Sequence, residues 1–311
     1  MKKNIAMLFP GQGSQSIGMG LSFYEHYELA REMFWQAQKR LNIDFKKLFE
    51  GDTRLSQTAY TQPAILLVSI VAYKLFEKEM IISPTYFLGH SLGEFSALCA
   101  SGAIDYLDAL ELVHERGKLM QEACSKIDAG MMAVIGLDDE HVMSVCSILQ
   151  DSGKQIWVAN FNQNGQVVVA GLKQDLQEAV DFFKKNGAKK AILLDMSVAS
   201  HCDLLKSAQE PLQDMMKHML KNKFYAPVVS NVTATAYNTS DDAIRLLTKQ
   251  LIEPVKYKQS IEKIANDVDM FIEFGNGSVL KGLNRRIAKN IPTLNIFDAD
   301  SLKNTVAMLK E

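Results

Sequence analysis

Between residues 128 and 197 the chain reads strand, helix, strand, strand, helix, strand, and that order leaves few folds open. Met131–Leu137 is a short apolar run, and Asp138–Leu149 is a helical span opened by two aspartates. Ile156–Phe161 and Gln166–Ala170 are strand-like, separated by Asn162-Gln163-Asn164-Gly165. Asn and Gly accept the positive φ of a tight hairpin, so this is a turn signal. Asp175–Lys185 is amphipathic and stops at Asn186-Gly187, and Ala191–Met196 is a last strand. The sum is the split βαβ unit of ferredoxin-like domains.

On either side the pattern changes. Ile5–Phe9, Thr85–Leu88, Val228–Val232 and Met270–Phe274 are short apolar runs, while residues 21–40, 62–79 and 107–124 carry helical spacing. Strands alternating with helices predict a parallel sheet with helices on its faces. The 311 residues are thus expected to form one α/β domain from 1–127 and 198–311, with the ferredoxin-like unit 128–197 inserted. Hydrophobic residues at 47% and charged residues at 23% suit a globular chain with a sizeable core. A net charge of −2 supplies no long-range basic field, so no nucleic-acid partner is expected.

Cys99, Cys124, Cys146 and Cys202 form no C-x-x-C pair and read as reduced, mostly buried thiols. Lys2 and Lys3 precede only the five apolar residues Ile5 to Phe9. A secretory signal needs about 7–15. The longest apolar stretch, Ala64–Tyr73, falls short of the about 20 residues of a membrane span. A cytoplasmic location without a membrane partner is expected.

Gly89-His90-Ser91-Leu92-Gly93 fits G-x-S-x-G and lies between an apolar strand and a small-residue helix, Glu94 to Ala100. A sharp strand-to-helix turn there lifts the serine hydroxyl above the sheet edge, and the helix N-terminus favours developing negative charge. A glycine-lined turn with an inert serine would spell the same letters.

A nucleophilic serine needs a base. His90 adjoins Ser91 and is expected to point elsewhere; His26, His114, His141 and His218 sit in polar helical contexts and read as solvated. His201 ends Ser197-Val198-Ala199-Ser200-His201, just after a strand, and the carboxyl edges of parallel strands are where such sites gather. Taken alone, it could equally cap or pack.

Arg116 stands in the apolar stripe Leu110, Val113, Gly117, Met120, Ala123 of its helix, with no acidic residue three or four positions away. A buried guanidinium without an anion is costly, so a carboxylate must come from elsewhere in the fold or from a ligand. Glu94 or Glu122 could supply it internally; a substrate carboxylate gripped in two places is the other reading.

Phe9-Pro10-Gly11-Gln12-Gly13-Ser14-Gln15 fails both phosphate-loop patterns. It leaves a glycine-flanked Gln12 at a strand end, able to offer a backbone N–H to an oxyanion. No spacing of His, Cys or carboxylates suits a metal.

Together, Phe9 to Gln15, Gly89-His90-Ser91-Leu92-Gly93-Glu94, Arg116, Ser200-His201, Gln250 before Glu253-Pro254-Val255, and Gly275-x-Gly277-x-Val279-Leu280 resemble the malonyl-CoA:acyl carrier protein transacylase family over essentially the whole chain. The resemblance implies an α/β-hydrolase-like core with an inserted ferredoxin-like (βαββαβ) subdomain. It implies transfer of malonyl from malonyl-CoA to the phosphopantetheine thiol of acyl carrier protein, by a ping-pong mechanism that supplies fatty acid synthesis, with no cofactor. Ser91 would be the nucleophile and His201 the base. The backbone carbonyl of Gln250 would orient the imidazole, and Gln12 and Leu92 would form the oxyanion hole. Arg116 would pair with the malonyl carboxylate.

Asn160 and Asn162 match an N-x-N segment near the acyl-CoA site, and Lys190 a basic position near the CoA phosphates. A hairpin turn and a solvated lysine explain these three equally well. Related acyltransferase domains vary at the positions of Val198-Ala199-Ser200 with malonyl or methylmalonyl preference; Arg116 favours a carboxylate, which points to malonyl. Lys281, Arg285 and Arg286 are candidates for the carrier-protein surface, and a monomer is expected. Two other functions remain: a serine hydrolase, which for neutral acyl chains has no use for Arg116, and a carrier-docking module without catalysis, which has no use for the intact set.

Overall fold

The computed structural model describes residues 3–196 and 198–310; Lys2 and Ser197 lie outside them. Its strands are β1 (Ile5–Phe9), β2 (Tyr86–Gly89), β3 (Ala129–Ile135), β4 (Ile156–Gln163), β5 (Gln166–Leu172), β6 (Lys190–Leu193), β7 (Val228–Val229), β8 (Ala236–Tyr237), β9 (Met270–Phe274) and β10 (Thr293–Ile296). They form one sheet in the order β10-β9-β1-β2-β7-β8 and another in the order β4-β5-β3-β6. In the first, every pair is parallel except β7 with β8. The second is antiparallel throughout. The fold is therefore an α/β-hydrolase-like parallel core carrying a ferredoxin-like subdomain.

β1 shows why the core needs two layers of helices. All of its residues are buried. Met7 and Phe9 face the large core that holds the helix Thr58–Glu79, whereas Ala6 and Leu8 face a second cluster with Tyr257, Phe271 and Leu280. Alternate side chains leave a strand on opposite faces, so an apolar run without alternation is stable only when both faces are covered.

The helix Thr58–Glu79 is long and apolar enough to cross a membrane, but 89% of its apolar stretch is buried inside this fold. It begins four residues earlier than the spacing predicts and contains Pro63. Proline has no N–H to give the carbonyl four residues back. That carbonyl, on Ala59, instead accepts from His114 Nδ1 at 2.7 Å. His114 is therefore half-buried and bonded, contrary to its expected solvation. His26, His141 and His218 are exposed, and all four cysteines are free and buried.

In the subdomain the expected elements hold, with boundaries moved by a few residues. β4 runs on to Gln163 while β5 begins at Gln166 as expected, which leaves Asn164-Gly165 as a two-residue turn with Gly165 at φ 70°. β3 has two uses. Met132 and Val134 enter the subdomain's own core, while Met131 and Ala133 face a cavity shared with the parallel-sheet half.

The halves are stitched together. Phe161 N–H donates to Val255 O and Val255 N–H to Ala159 O, both at 2.8 Å. Lys258 Nζ lies 2.6 Å from Asp139, at the start of the helix Asp139–Asp151.

Candidate active site

Two loops leaving the carboxyl ends of parallel strands line that cavity, residues 10–13 after β1 through Gln12 and residues 90–92 after β2, while the loop after β7 packs behind them through Asn231. β1 and β2 pair in register, Phe9 opposite Gly89. Their turns pack so closely that a Cβ on Gly89 would fall 1.8 Å from the Gly93 carbonyl carbon, and one on Gly93 2.0 Å from Phe9 O. Only glycine fits either place. Between them Ser91 sits at φ 53°, ψ −109°, outside the regions open to most side chains. This strained turn lifts its hydroxyl into the cavity, and the helix Leu92–Ser101 starts directly behind it.

Ser91 Oγ lies 2.8 Å from His201 Nε2, and His201 Nδ1 lies 2.6 Å from Gln250 O. A carbonyl oxygen can only accept, so Nδ1 carries the proton and Nε2 is left with a lone pair facing the hydroxyl. His201 itself is at φ 60° and 2% exposed. Burial and the nearby Arg116 push its pKa down to about 3, which keeps the imidazole neutral at physiological pH.

The route of His201 to this place differs from the expectation. The strand before it, β6, is an edge of the antiparallel sheet and stops at Leu193. The histidine therefore enters on the segment that returns to the core, and no parallel strand end carries it.

Arg116 is 1% exposed and is bonded to no carboxylate among the described residues. Its Nη1 donates to Gln62 Oε1 at 2.8 Å and its Nη2 to Gln250 Oε1 at 3.1 Å, and Nη2 is 3.5 Å from Ser91 Oγ. The guanidinium lies over the Phe95 ring at 5.1 Å, and its buried Nε–H has no acceptor among the described residues. Burial lowers its pKa to about 10, opposed by Glu94, so it stays charged.

Of the two expected partners, Glu122 is exposed. Glu94 is fully buried and reaches Arg116 only through the Gln250 carboxamide, whose Nε2 donates to Glu94 Oε2 at 2.8 Å. Burial pushes the Glu94 carboxyl up to about 7, opposed by the N–H of Asn231, the Gln250 amide, the Tyr237 hydroxyl and the charge of Arg116.

The cavity holds about 230 Å³. Gln12, Ser91, Arg116, Asn160, Asn162 and His201 supply polar lining, and Met120, Met131, Val168, Leu194 and Met196 an apolar wall. Leu92 also lines it, and its N–H, at the first helical position, has no acceptor within the helix. His90, expected to point away, lines the same cavity, with its Nε2 2.8 Å from Asn162 Oδ1 and its ring 5.5 Å from that of Tyr257.

Lys190 is the candidate that the structure leaves out. It is exposed on β6, paired with Ile135, and outside the cavity lining. Sequence reasoning missed Gln62 and Asn231, the second of which caps the serine N–H through Oδ1 at 2.7 Å. A glutamine in an apolar helix was a visible oddity. Asn231, inside a span that reads as strand, gave no signal of its own.

A half-buried serine on a tight strand-to-helix turn, bonded to a buried imidazole and with a guanidinium beside it, defines an acyl-transfer centre. The acyl transferase domain model matches residues 6–298. The malonyl CoA-acyl carrier protein transacylase of Bacillus subtilis is 39% identical over 99% of this chain and 98% of its own. A crystal structure of malonyl-CoA:acyl carrier protein transacylase from Helicobacter pylori is 46% identical, covers 100% of this chain and 99% of its own, and superposes with a TM-score of 0.96. The malonyl-transacylase in a structure of a type II PKS acyl-carrier protein in complex with its malonyl-transacylase is 35% identical, covers 98% of this chain and 99% of its own, and has a TM-score of 0.93. The chain belongs to the malonyl CoA-acyl carrier protein transacylase family of acyl transferases.

Proposed function

We propose that this protein moves a malonyl group from malonyl-CoA to the phosphopantetheine thiol of acyl carrier protein, supplying fatty acid synthesis. The observation that carries the reading is the charged Arg116, buried within reach of a serine already bonded to a neutral imidazole.

In the first step the Ser91 hydroxyl gives its proton to His201 Nε2 as Oγ attacks the thioester carbonyl. The N–H groups of Gln12 and Leu92 receive the oxyanion, each such donor typically contributing about 10²–10³ in rate. Collapse expels the CoA thiolate, which takes the proton from His201, and malonyl-serine remains. The carrier thiol then gives its proton to His201 and attacks the ester, and the serine oxygen leaves with that proton. Gln250 O holds the imidazole through both steps and stabilises its cationic form. These steps need no metal or cofactor.

Arg116 takes the malonyl carboxylate, and its unpartnered Nε–H and its Nη2 are the donors. Asn160 and Asn162 line the path of the pantetheine arm. Residues 1–127 and 198–311 form the catalytic domain and 128–197 the inserted subdomain. The protein works as a monomer in the cytoplasm.

Incubation with malonyl-CoA should add one malonyl group to the protein by intact mass, and holo carrier protein should discharge it. Ser91→Ala should abolish the adduct and cut transfer by about 10⁴–10⁶-fold. An undiminished adduct would remove Ser91 from its role. Release of malonate to water as fast as transfer would make the protein a hydrolase.

A further inference from the structure

Glu94 takes no part in the steps above, yet the reacting groups hang from it at one remove. Its Oε2 accepts from the Asn231 N–H at 3.0 Å and from Gln250 Nε2 at 2.8 Å, and its Oε1 from the Tyr237 hydroxyl at 3.0 Å. The Asn231 side chain then spans the tight turn, receiving the Ser91 N–H on Oδ1 and donating from Nδ2 to Gly89 O, both at 2.7 Å. Gln250 reaches further. Its backbone carbonyl receives the His201 proton, its Oε1 receives Arg116, and its Nε2 also donates to Ser91 O at 3.1 Å.

We propose that Glu94 is a positioning residue: by holding Asn231 and Gln250, it sets the serine backbone, the imidazole and the guanidinium in a common register. This rests on the roles given above to Ser91, His201 and Arg116.

Asn231 follows β7 and Gln250 ends the helix Ser240–Gln250, so neither is placed by the element that carries the nucleophile. Reacting groups must be held to within about 0.5 Å. A single carboxyl on the first turn of the serine's own helix can reference both to that helix, because it offers two acceptor oxygens where three donors converge. Without it the Asn231 N–H and the Tyr237 hydroxyl lose the acceptor they are buried against, and Gln250 Nε2 is left with Ser91 O and a long contact to Asn231 Oδ1. Its place one carboxamide away from Arg116 matters as much. A direct ion pair would occupy the guanidinium edge that a carboxylate ligand needs, whereas the Gln250 bridge leaves Nε free.

The test is the single-turnover acylation rate per titrated site, with malonyl-CoA and with acetyl-CoA, beside the thermal midpoint. Glu94→Ala should lower that rate about 10- to 100-fold on both substrates, because the turn is common to both. Glu94→Gln should restore it to within about threefold. Its amide oxygen can accept from Asn231 and Gln250, and its NH₂ can turn to the Tyr237 oxygen.

The rate per titrated site counts only folded molecules, so a purely structural role leaves it unchanged and overturns the proposal. A loss confined to malonyl-CoA overturns it as well, since Glu94 would then act on Arg116 alone. If Glu94→Ala does not fold, Tyr237→Phe removes one bond to Glu94 and should slow acylation by about 2- to 5-fold; an unchanged rate is fatal to the idea. Ser91→Ala run alongside separates the two readings: a surviving adduct there removes the nucleophile, whereas normal rates in the Glu94 and Tyr237 variants remove only the positioning role.

Discussion

The two sheets of this protein bury different things. Among the described residues, the buried carboxyl, guanidinium and imidazole groups, Glu94, Arg116, His201 and Glu273, all belong to the parallel-sheet half. The ferredoxin-like half has a core of aliphatic and aromatic side chains with Cys146, and its buried polar residues are Asn160 and Gln163, both on β4. Parallel strands send their loops to one edge, where side chains far apart in sequence meet and can satisfy one another. An antiparallel unit with helices on one face has no such edge, and it serves as a wall. The lesson is a division of labour. The parallel half places reacting groups at the cost of buried ionisable groups, and the inserted half encloses them with only two buried carboxamides among its described residues.

The contrast can be broken in three places. Phe183 is fully buried in the subdomain core, and Phe183→Ala should cost about 3–5 kcal/mol in denaturant unfolding. The transfer rate per titrated site should not change. A matching loss of rate would mean that the wall does more than enclose.

Arg116→Ala should lower kcat/KM for malonyl-CoA by about 10²–10³, or roughly 3–4 kcal/mol, and lower that for acetyl-CoA far less. Equal losses in the radiolabel transfer assay would make the arginine structural.

The smallest effect concerns acid. The folded pKa of His201, about 3, lies below its ordinary value near 6.5, so the unfolded chain binds a proton first as pH falls. The stability associated with the neutral ring is complete above the ordinary value and is lost as pH falls from there towards 3, by about 2 kcal/mol at pH 5. His201→Asn removes this sensitivity. Thermal midpoints of variant and wild type between pH 7 and pH 5 should therefore shift in favour of the variant, and a constant difference would contradict the depressed pKa.

Much of this was legible beforehand because it is local. Met270–Phe274 is a strand with the bounds that its apolar run predicts, and the Asn164-Gly165 turn lies inside the predicted hairpin signal. Arg116 announced itself by lacking an acidic neighbour on an apolar stripe. What stayed hidden was long-range. Gln62 and Asn231 come from separate elements that no spacing relates, and Gln250 entered only through the family resemblance, for its carbonyl and not for its side chain. The strand expected over Val228–Val232 stops at Val229 because Ser230 accepts from Val232 N–H on its hydroxyl and from Ala234 N–H on its carbonyl, turning the chain and delivering Asn231. His114 misled for a similar reason, since its partner is the carbonyl that a proline frees on another helix. Lys190 lies exposed on an edge strand outside the cavity, and a basic residue on a strand says nothing in sequence about which way that strand's edge faces.

The neighbours of β1 carry a consequence for synthesis. That strand pairs with β2 on one flank and with β9 on the other. A nascent chain can close the first seam early, but the second stays bare until Met270 has left the ribosome. At about 5–20 residues per second, this leaves a sticky strand flank exposed for on the order of ten seconds or more. Slowed translation or a shortage of chaperones should therefore harm the yield of this protein before any change in its finished stability does.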